Sequence, residues 1–192
     1  GRALRFVHNK TEEICLAAVT SFVDDYYNNA LEFVLPKDQT EEICLAAVKK
    51  DGYALKYVHS QTEELCLAAV NEKGEALQYV YNQTDEICLA AVKSGDFYNE
   101  ALKHVHNQTE EICLAAVKKD LRSLQYVHNQ TEELCLAAVK KEGTALQYVH
   151  NQTVEICLAA VTDDGTALQY VHNQTEELSL AAVNQNGNAL LY

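Results

Sequence analysis

The chain has 192 residues, 28 acidic against 15 basic side chains, a net charge of −13 and 48% hydrophobic residues. That apolar share supports a sizeable core and excludes a disordered chain, while the charge works against a nucleic-acid partner and favours a basic protein or peptide. No apolar run approaches the roughly 18 residues of a membrane span and no secretory leader pattern opens the chain, so no membrane partner is expected.

Taken in chain order, the elements repeat. Gly1 to His8 reads as the second half of a unit, and Thr11 then opens a segment that recurs from Thr40, Thr62, Thr84, Thr109, Thr131, Thr153 and Thr175. Thr40 to Thr62 is a step of 22 residues, a spacing typical of solenoids. One unit, Thr62 to Gln83, reads TEELCLAAVNEKGEALQYVYNQ.

Its first half opens on a capping Thr and two acids and is filled with Leu and Ala. Other copies close it on Lys pairs such as Lys49-Lys50, Lys118-Lys119 and Lys140-Lys141. Acids at the start and cations at the end both complement a helix dipole, which predicts an α-helix, here helix A. The second half, around Glu75 to Tyr81, carries Ala76, Leu77, Tyr79 and Val80 and predicts a second helix of about two turns, helix B.

Between the halves lies a slot occupied by Gly1, Asn28, Gly52, Gly74, Asn99, Leu121, Gly143, Gly165 and Gly187. Gly and Asn tolerate positive φ, so the slot is expected to be a left-handed residue ending helix A, with a distorted turn at Leu121.

Neither helix is long enough to be stable alone in water, so order must come from stacking unit on unit. The hexamer ICLAAV, first seen at Ile14, places six apolar residues in succession on helix A. This predicts burial on nearly every side, with the two Ala permitting close approach. A strand of a β-helical coil has an overlapping period, but Ala-Ala, the acidic start and the Lys-rich end oppose it. The expected fold is all-α, an α-solenoid of eight 22-residue helix-turn-helix repeats stacked into a superhelix and forming a single domain over 1–192.

Length changes fall mostly between helices A and B, in SFVDDYYNN from Ser21 and SGDFYNE from Ser94, with two further residues near Pro36. The chain contains no Met and begins within a repeat, so it is expected to be a processed form or a piece of a longer protein. Near-identical copies also fit an engineered consensus protein; the uneven insertions and Leu121 favour a natural one.

The stretches LAAVKKDGYALKYV from Leu45 and LAAVNQNGNALLY from Leu180 resemble the tandem short helical repeats, of pattern LAAVKxNGxALxYA, of a domain-of-unknown-function family found in giant viruses, bacteria and protists. The resemblance spans essentially the whole chain. It implies the helical repeat architecture and no activity or catalytic residues.

A tandem array turns each repeated residue into a ladder. Cys15, Cys44, Cys66, Cys88, Cys113, Cys135 and Cys157 form one, with Ser179 in the eighth place. Packed helices lie too far apart for disulfides along it, and no CxxC or CxxH spacing points to a metal. Small buried side chains in an intracellular, reducing compartment such as the cytoplasm are expected.

A second ladder, His8, His59, His106, His128, His150 and His172, is interrupted by Leu35 and Tyr81. That interruption argues for a structural rather than catalytic role. The triplets at Asn82, Asn107, Asn129, Asn151 and Asn173 match a glycosylation acceptor, but read as turns before Thr caps. Paired acids such as Glu41-Glu42 point about 100° apart on a helix and read as a solvated rim.

No nucleophile-and-base pattern, metal site or cofactor motif is present, so no enzyme activity, catalytic residue or cofactor is expected. The expected function is a non-enzymatic scaffold that binds a protein or peptide. The binding residues are expected along the variable A–B edge, at Phe22, Asp24, Tyr26, Tyr27, Phe97 and Tyr98, where exposed aromatics would anchor a partner. The alternative is an architectural spacer within a larger protein.

Overall fold

A computed structural model describes residues 2–21, 29–94 and 100–191. The described residues form eight α-helices: α1 Glu12–Thr20, α2 Glu41–Lys50, α3 Glu63–Glu72, α4 Asp85–Lys93, α5 Glu110–Lys119, α6 Glu132–Lys141, α7 Val154–Asp163 and α8 Glu176–Gln185. They contain no strand. The chain divides into two compact units, residues 1–107 and 108–192. In each, every α-helix packs on the next in sequence, the packing of an α-solenoid.

The start of every helix A is set by its threonine. Thr40 lies extended at φ −76° and ψ 158°, and its side chain accepts the Ile43 N–H at 3.4 Å; Thr62, Thr84, Thr109, Thr131, Thr153 and Thr175 cap their helices in the same way. Two acids follow the cap in most copies, where the helix dipole favours them.

The end is an extended residue, not a left-handed one. Asp51 sits at φ −149° and ψ 109°, and its N–H returns to the Ala47 carbonyl. None of Gly52, Gly143, Gly165 and Gly187 adopts positive φ. The expected reason for the glycines is therefore corrected. A Cβ on Gly52 would sit 2.4 Å from the backbone oxygen of Ala69 in the next helix A, and on Gly143 or Gly165 it would sit 2.5 Å from the oxygens of Ala160 and Ala182. At Gly52, Gly143 and Gly165 the slot is small because the neighbouring backbone is there; Gly1, Asn28 and Asn99 lie outside the described residues.

The second half of each unit is also corrected, from an α-helix to a 3-10 helix, as at Gly52–Tyr57, Gly74–Tyr79, Gly143–Tyr148 and Gly165–Tyr170. Six residues are too few to propagate an α-helix, and a three-residue turn brings Leu55 and Val58 to the same buried side. Where the cap residue is Asp or Asn its side-chain oxygen caps the turn, as Asp51 does for the Tyr53 N–H and Asp164 for the Thr166 N–H, whereas Glu142 makes no such cap.

The hexamer is buried on a broad face rather than all round. In α2, Ile43, Cys44, Ala47 and Val48 are buried while Leu45 and Ala46 are half-exposed. The Ile position faces the preceding helix A: Ile43 is fully buried, but Ile14 in α1 is 39% exposed.

At Leu121 the turn itself is not distorted, contrary to expectation. It opens a regular 3-10 helix, Leu121–Tyr126, behind a cap residue with the same extended geometry as elsewhere. The strain appears in the packing instead. Within the second unit, α5 packs far less closely on α6 than α6 on α7 or α7 on α8. Leu134 and Ala137 of α6 are correspondingly more exposed than Ile156 and Ala159 of α7. A side chain in the glycine slot holds the next backbone away.

Removing a leucine that is already half-exposed leaves little cavity, so Leu134→Ala should cost roughly 1–2 kcal/mol. In a Leu121→Gly background, where α6 can close on α5, the same change should approach the 2–5 kcal/mol typical of a buried leucine. Urea unfolding of the four proteins in this double-mutant cycle checks it, and additive effects would refute it.

Candidate functional site

The most developed polar feature is a ladder of glutamines in the turn before each helix A. Gln130 shows it fully. Its Nε2 donates at 2.8 Å to the Leu124 carbonyl, ending one 3-10 helix, and at 2.8 Å to the Tyr148 carbonyl, ending the next. Its Oε1 accepts the His150 N–H at 2.9 Å. Gln39, Gln61, Gln83 and Gln152 repeat these bonds, and Gln108 joins the Tyr126 carbonyl and the His128 N–H. Gln61, Gln83, Gln130 and Gln152 thus each tie together the C-terminal ends of two consecutive 3-10 helices, and Gln39 does so through the Val34 carbonyl at 3.3 Å.

The cysteine ladder serves the glutamines. The Cys135 Sγ lies 3.7 Å from Gln130 Oε1, and Cys66, Cys88, Cys113 and Cys157 hold the same relation to Gln61, Gln83, Gln108 and Gln152 at 3.6–3.7 Å. A thiol is apolar enough for the core and still donates weakly. All seven cysteines are buried and free, and burial pushes each thiol above its ordinary pKa, against thiolate chemistry.

The histidine ladder contributes its backbone. His59, His106, His128, His150 and His172 donate their N–H groups to glutamine while their side chains are exposed. Tyr81 makes the same backbone bond. Such a slot accepts a different side chain without loss of the ladder. His104 replaces the tyrosine of other copies; burial and then the nearby Lys103 hold its imidazole below its ordinary range.

The acids do more than line a rim. Thr40 Oγ1 donates to Glu12 Oε1 at 2.9 Å, and Thr153 Oγ1 to Glu132 Oε1 at 2.9 Å, so the first acid of one helix braces the cap of the next. Tyr53 similarly donates its hydroxyl to Glu75 in the following copy. Burial first, then this carboxylate, raises the Tyr53 pKa strongly.

Phe22, Asp24, Tyr26, Tyr27, Phe97 and Tyr98, the expected binding residues, lie outside the described residues. Among the described residues no three His, Cys, Asp or Glu side chains stand together as a metal site, and no helix is long and apolar enough to cross a membrane. What the second unit does present is an open groove of about 540 Å³ between α6 and α7. Leu136, Leu158 and Ala159 form its floor, and Lys140, Glu155 and Asp163 its walls. It reaches the C-terminal ends of both helices, which is the A–B edge.

Sequence reasoning passed over the glutamines because Asn and Thr alone account for the turn and cap. The signal was their recurrence in the NQT triplet, where capping gives glutamine nothing to do.

Short capped helices, 3-10 returns and a glutamine before each helix A but the first define a tandem α-helical repeat protein. Residues 40–84, 109–152 and 131–175 match the family described as Domain of unknown function (DUF4116), and the chain belongs to that family. No curated protein and no solved structure matches it.

Proposed function

We propose that the protein is a non-enzymatic repeat scaffold that docks a protein or peptide, with a basic, amphipathic segment the preferred partner. The observation that carries this reading is the groove between α6 and α7. Half-exposed leucine and alanine lie open there beside Glu155, Asp163 and a single Lys140, in a chain of net charge −13. Apolar floor gives affinity, and the surrounding negative field attracts a cationic segment and sets its direction of approach. The A–B edge residues Phe22, Asp24, Tyr26, Tyr27, Phe97 and Tyr98 stay in this reading as separate candidate contacts, on their place in the sequence alone.

The buried, protonated thiols support a reducing compartment, where the ladder persists without oxidation. The uniform glutamine ladder supports a second reading, an architectural spacer, in which stiffness rather than recognition is used.

A fluorescein-labelled peptide of alternating lysine and leucine separates the two readings by anisotropy. A scaffold should bind it saturably, with affinity falling as salt rises, and Leu158→Asp should weaken binding at least 10-fold while leaving the far-UV circular dichroism unchanged. Unaltered binding in Leu158→Asp would remove the groove. Unaltered binding after alanine replacement of Tyr26, Tyr27, Phe97 and Tyr98 would remove the edge residues. Absence of binding would leave the spacer.

A further inference from the structure

A repeat array carries its own control, because a residue that differs from its equivalents in other copies is not required by the fold of the unit. The first unit contains a second groove, of about 420 Å³, at the C-terminal ends of the 3-10 helices. Departures from the repeat collect along it.

Where four other copies hold Gln78, Gln125, Gln147 and Gln169, the groove has Arg5, Glu32 and Lys56; Lys103 and Leu191 fill the slot in the remaining two copies, outside the groove. Lys10 occupies the place of the ladder glutamine, and Leu35 and Tyr81 occupy that of the histidine. The inserted Pro36 lines it as well.

These changes oppose the general character of the molecule. Arg5, Lys10 and Lys56 gather three positive charges against Glu32 in a chain that is otherwise strongly acidic. Lys10 also gives up a structural task. An ammonium has no acceptor, so it cannot take the backbone N–H that Gln39 and Gln61 take from His59 and Tyr81. The apolar departures lie open to solvent, Leu35 at 51% and Tyr81 at 70% exposure. Beside them Lys56 Nζ stands 5.5 Å over the Tyr57 ring, holding a cation at an aromatic face. Local departures that weaken the scaffold's own rules, and add charge and exposed aromatic surface at one place, mark a site.

We propose that this groove binds a short acidic peptide segment carrying an aromatic or aliphatic anchor. Its carboxylates would meet Arg5, Lys10 and Lys56, and its anchor would rest on Leu35, Pro36 and Tyr81. The volume suits a few side chains of an extended segment. A nucleic-acid strand, which also seeks cations and aromatic rings, is disfavoured because the three cations of one short groove meet only a few of its regularly spaced phosphates. The site is separate from the groove between α6 and α7, and takes a partner of opposite charge.

The whole chain titrated against a fluorescein-labelled peptide DEFELD tests this by anisotropy. Saturable binding that weakens with salt is expected. The triple variant Arg5→Gln, Lys10→Gln, Lys56→Gln should lose at least 10-fold in affinity while folding normally, because it installs the residue that other copies carry. Tyr81→His, also a residue of other copies, should weaken binding several-fold. A control with the same charge change, Lys118→Gln, Lys119→Gln, Lys140→Gln, should bind as the parent does, as should Leu158→Asp. Absence of saturable binding, equal loss in the two triple variants, or tighter binding of a labelled oligothymidylate than of the peptide would overturn the proposal.

Discussion

Replacing Gly143 by alanine is expected to destabilise the second unit by about 3 kcal/mol, whereas the same replacement at Gly187 should be neutral or stabilise by up to about 1 kcal/mol. The sequences around the two glycines are alike, and local propensity would predict equal effects. Their surroundings differ. At Gly143 the added methyl would meet the Ala160 oxygen at 2.5 Å and both the Cβ and the nitrogen of Asp164 at 3.1 Å, and backbone cannot rotate aside as a flexible side chain can. At Gly187 nothing lies within 4 Å. The methyl there only narrows the freedom of the unfolded chain. Urea unfolding followed by circular dichroism measures both, and equal effects would return the glycines to a conformational role.

Gln130→Ala should be the costliest polar substitution in the second unit, at about 3–5 kcal/mol. Truncation leaves the Tyr148 carbonyl and the His150 N–H without their partner in a half-buried turn, and costs the Leu124 carbonyl the second of its two donors, the Val127 N–H remaining at 3.1 Å. Each abandoned group costs about 1–3 kcal/mol, reduced here by partial access to water. Gln130→Glu should not rescue it: a carboxylate keeps the bond from His150 but turns both donor positions into repulsion against carbonyl oxygens. Gln174 supplies the comparison. It is exposed and has the Leu168 carbonyl at 3.1 Å, and among the described residues it makes no cross-link to a following copy, so Gln174→Ala should cost about 0.5–1.5 kcal/mol. The difference between the two unfolding midpoints is the measure of what one rung of the ladder contributes.

These two positions also show where reading residues in order reaches its end. Thr11, Thr40 and their equivalents, the acids after them and the Leu-Ala run place each helix A, because a cap, a dipole and helix propensity act over a few residues. The dependence of each copy on its neighbours follows in the same way, from helices too short to be stable alone. The cysteines, too, are legible as buried and unreactive from their spacing and setting.

The glycine slot, the 3-10 helices and the glutamines are different. A glycine required by positive φ and one required by a neighbouring carbonyl are spelled alike, and only the position of the next helix separates them. The open groove lined by Lys10, Leu35 and Tyr81 draws on copies far apart in the chain; each substitution alone looks like drift, and only their convergence makes a surface.

What the sequence by itself determined is the period, the caps, helix A and the need to stack, all consequences of interactions within about a turn of the backbone. What only the tertiary structure decided is how one copy meets the next: the bare Gly52 against Ala69, the loosened step after Leu121, and the Gln130 amide shared between Leu124 and Tyr148. Those outcomes depend on distances of a few ångströms between residues about 20 positions apart, and no local preference encodes such a distance.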